Sequence, residues 1–201
     1  MKKKTIIAMI VGIGIIAIIV FLFFCYNSSE TGNTTINKTE EEMIQDVLNI
    51  SFYRAQLKIK IASNKNENQY IVKQEVTKNM VRQEILQPEN IAGVVTTYEE
   101  GKLTLYNSQL ELSQVYEDYA YMTNNALWLN SFVEEFKNNT EKTKISYENN
   151  NIILEVKNER RYDYRKKLYI NKENGKLLQL IVQDINQKQT ICIEYTELEI
   201  L

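Results

Sequence analysis

The chain has 201 residues and a formal net charge of −2, and it contains no histidine. Without Lys2, Lys3 and Lys4, which precede an apolar run, 21 basic residues stand against 26 acidic ones, a net charge of −5. This balance excludes a nucleic-acid partner. The lack of histidine removes the commonest general base and metal ligand, so no catalytic residue, metal site or cofactor is predicted.

Residues 1–25 are predicted to be a membrane anchor or a lipoprotein signal segment. The run from Ile6 to Phe24 has no charged side chain, and as a helix it would be about 28 Å long, close to the hydrocarbon thickness of a bilayer. The lysines that precede it place that end in the cytoplasm. The remainder of the chain is therefore expected on the extracytoplasmic side.

Cys25 leaves the type of tether open. Leu22 stands three residues before it, as in a lipoprotein signal, but Phe24 stands where a small residue is expected. Cys25 is thus either a lipid attachment site or the end of a transmembrane helix. Both interpretations tether the protein to a membrane. A disulfide between Cys25 and Cys192 is not expected, since the two lie on opposite sides of the anchoring point.

A flexible polar linker is predicted for residues 26–38. Thr39 and Glu42 form a capping box, which starts a helix with an apolar stripe from Met43 to Leu48. Nearly strict alternation of apolar and polar residues from Phe52 to Ser63 then predicts a strand with one face buried.

Further short strands separated by polar turns predict an antiparallel meander. Strands are expected over 70–76 and 80–86, and Pro88 marks the end of the latter because proline cannot donate to a ladder. Glu100-Gly101 is the turn of a hairpin that ends near Tyr106. Residues 110–115 are a weaker strand candidate.

An aromatic segment interrupts the strands between Tyr116 and Phe136. A second helix is predicted from Asn124-Asn125 to Phe136, with a wide apolar stripe. It either covers one face of the sheet or forms a lid or partner-binding surface, because tyrosine and tryptophan are favoured at interfaces. The candidate surface residues are Tyr116, Tyr119, Tyr121, Trp128 and Phe132.

The strands resume after Lys144. Hairpins are predicted at Asn149-Asn150 and at Asn174-Gly175, and a last strand runs from Thr190 to Leu198. The basic cluster 165–167 is expected on a solvated face or an edge strand. The pattern amounts to eight to ten strands and two helices, an α+β fold.

Several spacings in this order of elements resemble a known family. They are R-x-E-x-x-x-P from Arg82 to Pro88 with Gly93 beyond it, T-Y-x-x-G-K-L-x-x-Y from Thr97 to Tyr106, and the segment 168–184. Together they resemble the LolA/LolB lipoprotein-carrier superfamily, and most of all the clostridial germination lipoproteins of the GerS type. The resemblance covers about residues 40–201, within a predicted domain of residues 39–201. It departs at Phe24 and after the glycine of the Asn174-Gly175 turn, where many carriers have proline.

The resemblance implies an incomplete antiparallel β-barrel, a curved sheet of about 8–11 strands with two or three helices on its concave face. It implies a non-enzymatic binding protein on the extracytoplasmic face of a bacterial cell or forespore membrane. GerS-type proteins are partners of a cortex peptidoglycan amidase in spore germination, whereas LolA-like carriers bind acyl chains in the half-barrel. Both alternatives stay open. An enzyme is not expected, since the adjacent carboxylates Glu99-Glu100 and Glu134-Glu135 do not form a catalytic pair.

Overall fold

The computed structural model describes residues 38–63, 65–119, 126–158 and 163–201. They contain two α-helices, α1 (Glu40–Leu48) and α2 (Leu129–Asn138), and single 3₁₀ turns at Glu89–Ile91 and Thr140–Lys142. The strands of this part are β1 (Tyr53–Ala62), β2 (Glu67–Val76), β3 (Met80–Gln87), β4 (Val94–Glu99), β5 (Lys102–Asn107), β6 (Leu112–Tyr116), β7 (Thr143–Glu148), β8 (Asn151–Lys157), β9 (Arg165–Asn171), β10 (Leu177–Gln183) and β11 (Gln189–Ile200).

All described strands belong to one antiparallel sheet. Its order is β6-β5-β4-β3-β2-β1-β11-β10-β9-β8-β7. The chain therefore forms two meanders that join where β1 pairs with β11. Strands β6 and β7 lie at the two edges of the curved sheet and do not pair, so the sheet is open.

Both helices pack against the same face of the sheet, which we call the inner face. Tyr53, Leu57 and Ile59 of β1 point to this face, and their neighbours across β2 and β11 point the same way. The other face of β1 is charged, with Arg54 2.8 Å from Glu75 on the neighbouring strand. The hydrophobic core thus lies between the helices and the inner face.

Helix α1 begins at a complete capping box. The Thr39 side chain accepts a hydrogen bond from the Glu42 backbone, and the Glu42 carboxylate accepts one from the Thr39 backbone. This reciprocal pair satisfies two of the backbone donors that a helix start leaves open. The apolar stripe predicted for this helix is buried against the core: Met43, Ile44, Val47 and Leu48.

Helix α2 is attached to the inner face by two buried polar contacts as well as by its apolar side. Tyr53 donates its hydroxyl to the Gln74 amide oxygen at 3.2 Å and accepts the backbone N–H of Leu129 at 3.4 Å. At the other contact, the Lys166 ammonium lies 2.8 Å from both carboxylate oxygens of Glu135. A buried polar group must have partners, so these contacts specify where α2 lies.

The predicted α+β class with an open, curved antiparallel sheet and two helices is confirmed. The count of eight to ten strands is too low. The expectation that residues 165–167 form a solvated face or an edge strand is wrong: β9 lies inside the sheet, and Lys166 is 1% exposed on its inner face. The position of a strand within the sheet decides whether its residues are buried, and a local sequence pattern does not show that position.

The predicted membrane segment 1–25, including Cys25, and the predicted linker up to residue 37 lie outside the described residues. Among the described helices, neither is long and apolar enough to cross a membrane. Cys192 is a buried free thiol.

Candidate interaction surface

The aromatic residues named around the second helix differ in exposure: some are buried in the core and others are exposed. Phe132 is 1% exposed and packs in the core. Trp128, immediately before α2, is half-buried against the same core. Tyr116 and Tyr119 are 42% and 37% exposed, and Tyr121 lies outside the described residues. A partner surface at these residues stays a prediction, and its exposed, described part is Tyr116 with Tyr119.

Exposed apolar side chains concentrate beside these two tyrosines, on β5, β6 and their connection. Exposed apolar patches of this kind mark interaction sites, whereas single exposed residues need no explanation. Leu110 and Leu112 are each 64% exposed. The members of the patch are Leu105, Tyr106, Leu110, Leu112, Val115, Tyr116 and Tyr119.

The strand β6 is the centre of this patch, and we call residues 112–116 the β6 edge. All five residues are exposed. The register with β5 pairs Tyr116 with Leu103 and Leu112 with Asn107, which places both on the inner face. Val115 pairs with Thr104 and points to the opposite face. The β6 edge therefore carries an apolar side chain on each of its faces.

Two hydrogen bonds fix which backbone groups of the β6 edge point away from the sheet. The Tyr119 N–H donates to the Gly101 carbonyl at 2.8 Å, and the Ser108 N–H donates to the Gly93 carbonyl at 3.0 Å. Backbone groups alternate in direction along a strand, so the N–H and C=O groups of Leu103 and Leu105 point toward β6. There they bond to the backbone of the paired residues 116 and 114. The backbone groups of residues 113 and 115 then point to the other side, where no described strand lies.

Glycines at two turns hold β5 and β6 in this position. Gly93 has φ +80°, and a Cβ at this position would meet the hydroxyl of Ser108. Its N–H donates to the Ile85 carbonyl at 2.8 Å, so β3 and the end of β5 are joined through one residue. Glu100 and Gly101 have φ 50° and 80° and form the two-residue turn predicted between β4 and β5.

The surroundings of the β6 edge are acidic. Lys102 is the one basic residue between positions 99 and 119, and it lies 3.2 Å from Glu117. Three of the acidic residues have positive φ and stand at turns, where their side chains are exposed. The acidic residues of this segment are Glu99, Glu100, Glu111, Glu117 and Asp118.

A second candidate site is a cleft of about 530 Å³ between α1, the turn after β9, and β11. This volume falls within the range of small-ligand pockets, about 300–1,000 Å³. Lys38 and Asp46 form an ion pair at 2.6 Å on its rim. Burial raises the pKa of the Tyr195 phenol well above its usual value. The apolar part of the lining is Met43, Val47, Ile50, Leu177, Tyr195, Leu198 and Ile200.

Within residues 38–63, 65–119, 126–158 and 163–201, no three or more acidic or cysteine side chains are arranged to hold a metal ion. The arrangement can bind apolar and charged surfaces. Sequence reasoning gave residues 110–115 only as a weaker strand candidate and did not include residues 112–115 in the candidate site, because only the sheet order identifies β6 as an edge.

The matches to known proteins come from solved structures, and they support the fold. Neither a protein-family model nor a curated protein sequence matches the chain. The structure of the CwlD amidase from Clostridioides difficile in complex with the GerS lipoprotein matches with a TM-score of 0.50 and 18% identity. This match covers 82% of this chain and 97% of that one.

Two other structures have lower TM-scores. An uncharacterised conserved protein from Thermus thermophilus matches with a TM-score of 0.49 and 13% identity, over 80% of this chain and 86% of that one. A LolA superfamily protein from Nitrosomonas europaea matches with a TM-score of 0.38 and 9% identity, over 82% and 94%. The predicted resemblance to GerS-type proteins is confirmed as a likeness of fold.

Proposed function

We propose that the chain is a membrane-tethered, extracytoplasmic and non-enzymatic binding protein, a GerS-like partner of a cortex peptidoglycan amidase in spore germination. The observation that carries the proposal is the exposed apolar β6 edge on a fold like that of GerS, which is a lipoprotein found in complex with the CwlD amidase. The fold is therefore proposed to present a surface rather than to house a reaction.

The packing of the molecule supports a binding role. The two helices occupy the inner face, where Leu129 and Phe132 are almost completely buried. Large apolar side chains left exposed by such a packed scaffold are the usual anchors of protein interfaces, tyrosine in particular. The apolar run of residues 6–24 supports the tether, and it would hold the domain close to a partner at the same membrane.

The test is complex formation with a CwlD-type amidase. The full chain in a mild detergent and the amidase, each at micromolar concentration, are expected to elute together in size-exclusion chromatography. Leu112→Ser should weaken the complex about tenfold, because a buried leucine contributes roughly 1.5–3 kcal/mol at an interface. Ile185→Ser is the matched control, since Ile185 is as exposed as Leu112 but lies on the β10–β11 turn. Separate elution of the two wild-type proteins would overturn the proposal.

The tether is tested separately at Cys25. If Cys25 is the lipid attachment site, Cys25→Ser abolishes metabolic labelling of the protein with a fatty acid. Unchanged labelling would show that this thiol is not acylated, and the apolar run of residues 6–24 would then be the proposed anchor.

The cleft between α1 and β11 favours a second candidate function, a lipid or lipoprotein carrier or receptor that binds acyl chains. Its apolar lining lies beside the inner face, and its charged rim would suit a polar headgroup. A carrier must also leave its membrane, which a tethered domain cannot do, so the amidase partner ranks first. Lipid extraction of the purified protein followed by mass spectrometry tests this alternative. Stoichiometric acyl chains, reduced by the cleft-filling variant Val47→Phe, would favour the carrier.

A further inference from the structure

We infer that the β6 edge binds an extended segment of a protein partner as an additional strand of the sheet, and that this segment alternates apolar and basic side chains. The inference deepens the proposed function and rests on it in one respect, that the chain acts by binding a protein. It names the surface that binds and the chemistry of the bound segment.

The backbone of the β6 edge makes the pairing geometrically available. Residues 113 and 115 direct their N–H and C=O groups away from β5, and no described strand lies there. An open strand edge is a template for a further strand, and proteins usually protect such edges with lysine, proline or a bulge. The β6 edge has none of these protections within residues 112–116. An incoming strand would satisfy those groups.

The side chains of the β6 edge indicate the apolar half of the pattern. Tyr116 and Leu112 stand on the inner face and Val115 on the opposite face, all exposed. A paired strand places its own side chains alternately on these two faces. Cross-strand contacts with aromatic and β-branched residues stabilise strand pairing. Apolar side chains on the incoming segment would therefore bury Tyr116 and Leu112.

The charges around the β6 edge indicate the basic half of the pattern. Glu111 precedes the strand, and Glu117 and Asp118 follow it, so both ends of the edge are acidic. Lysine or arginine on the incoming segment would lie beside these carboxylates and would speed association.

The same charges disfavour two other occupants. A second copy of this chain would bring identical acidic side chains to the edge, and like charges across an interface are unfavourable. An anionic membrane surface attracts basic segments and repels acidic ones.

The experiment uses two short fluorescein-labelled peptides, one alternating valine with lysine and the other valine with glutamate. Fluorescence anisotropy measures their binding to the full chain in a mild detergent. We expect the lysine peptide to bind at least about tenfold more tightly than the glutamate peptide. Its binding should weaken as the salt concentration rises from about 50 mM to about 500 mM. Equal binding of the two peptides, or binding of neither, would overturn the inference.

Val115→Pro tests the backbone contact. Proline removes the outward N–H of residue 115 and leaves the hydrogen bonds between β5 and β6, and it is tolerated on edge strands. We expect about tenfold weaker binding of the lysine peptide. Val115→Thr is the matched control, since it keeps the backbone N–H and a β-branched side chain. If the proline and threonine variants bind equally, strand addition at this edge is wrong.

A second variant set keeps the test valid if the proline variant fails to fold, which its thermal melting curve would reveal. Glu111→Asn and Asp118→Asn together remove two negative charges at positions of positive φ, a conformation that asparagine adopts readily. Binding of the lysine peptide should fall about fivefold, and its salt dependence should decrease. Unchanged binding would contradict the proposed role of the acidic surroundings.

Two further measurements separate this inference from the proposed function and from a second copy. An amidase complex that Val115→Pro leaves intact would preserve the proposed function and overturn this inference. If the lysine peptide binds as expected but no amidase complex forms, this inference would stand and the proposed function would be overturned. A wild-type dimer in light scattering that Val115→Pro converts to a monomer would assign the edge to a second copy, against the inference.

Discussion

Lys166→Met is expected to destabilise the domain more than its position in a basic cluster suggests. The Lys166 ammonium lies 2.8 Å from the Glu135 carboxylate on α2 and 2.9 Å from that of Asp163, with its side chain 1% exposed. Methionine has a similar length but no charge, so the variant keeps most of the packing. It leaves two largely buried carboxylates without their shared cation.

The expected loss follows from the cost of breaking a buried ion pair, about 3–5 kcal/mol. A domain of this kind has a total unfolding free energy of about 5–15 kcal/mol, so the loss is a large fraction of it. Lys167→Met is the matched control on the next residue. Lys167 points to the opposite face, its side chain is 24% exposed, and its ammonium is 3.7 Å from Glu155. Lys167→Met should lower the free energy of unfolding by about 1 kcal/mol or less.

The assay is urea unfolding of the wild type and the variants, followed by tryptophan fluorescence and circular dichroism, with free energies compared at a common slope. The double variant Lys166→Met with Glu135→Leu should recover part of the loss, because the helix carboxylate is removed together with its partner. If Lys166→Met costs no more than Lys167→Met, the buried ion pair does not hold α2 on the sheet, and the argument is refuted.

Three further predictions concern single sites. Gly101→Ala should lower the free energy of unfolding by about 1–2 kcal/mol, because residue 101 has a positive φ. Gly93→Ala should lower it more, because the new Cβ would also meet the hydroxyl of Ser108. Equal shifts of the two melting temperatures in calorimetry would contradict this. Tyr53→Phe should lower the unfolding free energy by about 1–3 kcal/mol, since it removes a buried hydroxyl with partners on both sides; a neutral result in urea unfolding would show that these bonds contribute nothing. Burial raises the pKa of the Cys192 thiol. In a Cys25→Ser chain at pH 8, iodoacetamide should therefore modify Cys192 more slowly in the folded protein than in the urea-unfolded protein. Equal rates of modification would show that the fold does not protect this thiol.

Local elements were predictable because their causes lie within a few residues. The capping box at Thr39 and Glu42 and the turn at Glu100-Gly101 depend only on neighbouring residues, and both occur as predicted. The alternation that begins at Tyr53 correctly assigns the two faces of β1. The spacing around Arg82, Pro88 and Gly93 indicated the fold, since each of these residues stands at a strand or a turn that the fold requires.

The candidate site was predictable only in part. Tyr116 and Tyr119 were named and are exposed, whereas Phe132 came from the same aromatic segment and is a core residue. A helical stripe has the same pattern whether it faces a sheet or a partner. The difference lies in what packs against it, here the Tyr53 hydroxyl at the start of α2 and the Lys166 ammonium further along it.

By itself, the sequence determined the order of the strands and helices, their two-faced character, the turns, and the absence of histidine chemistry, because each of these follows from residue type and short spacing. Tertiary structure alone decided that β6 is an edge and β9 is not, that Lys166 is buried, and that apolar residues at 112 and 115 stay exposed. These properties depend on which strands become neighbours. Pairing between residues far apart in the chain, such as β1 with β11, sets those neighbours, and no local pattern encodes it.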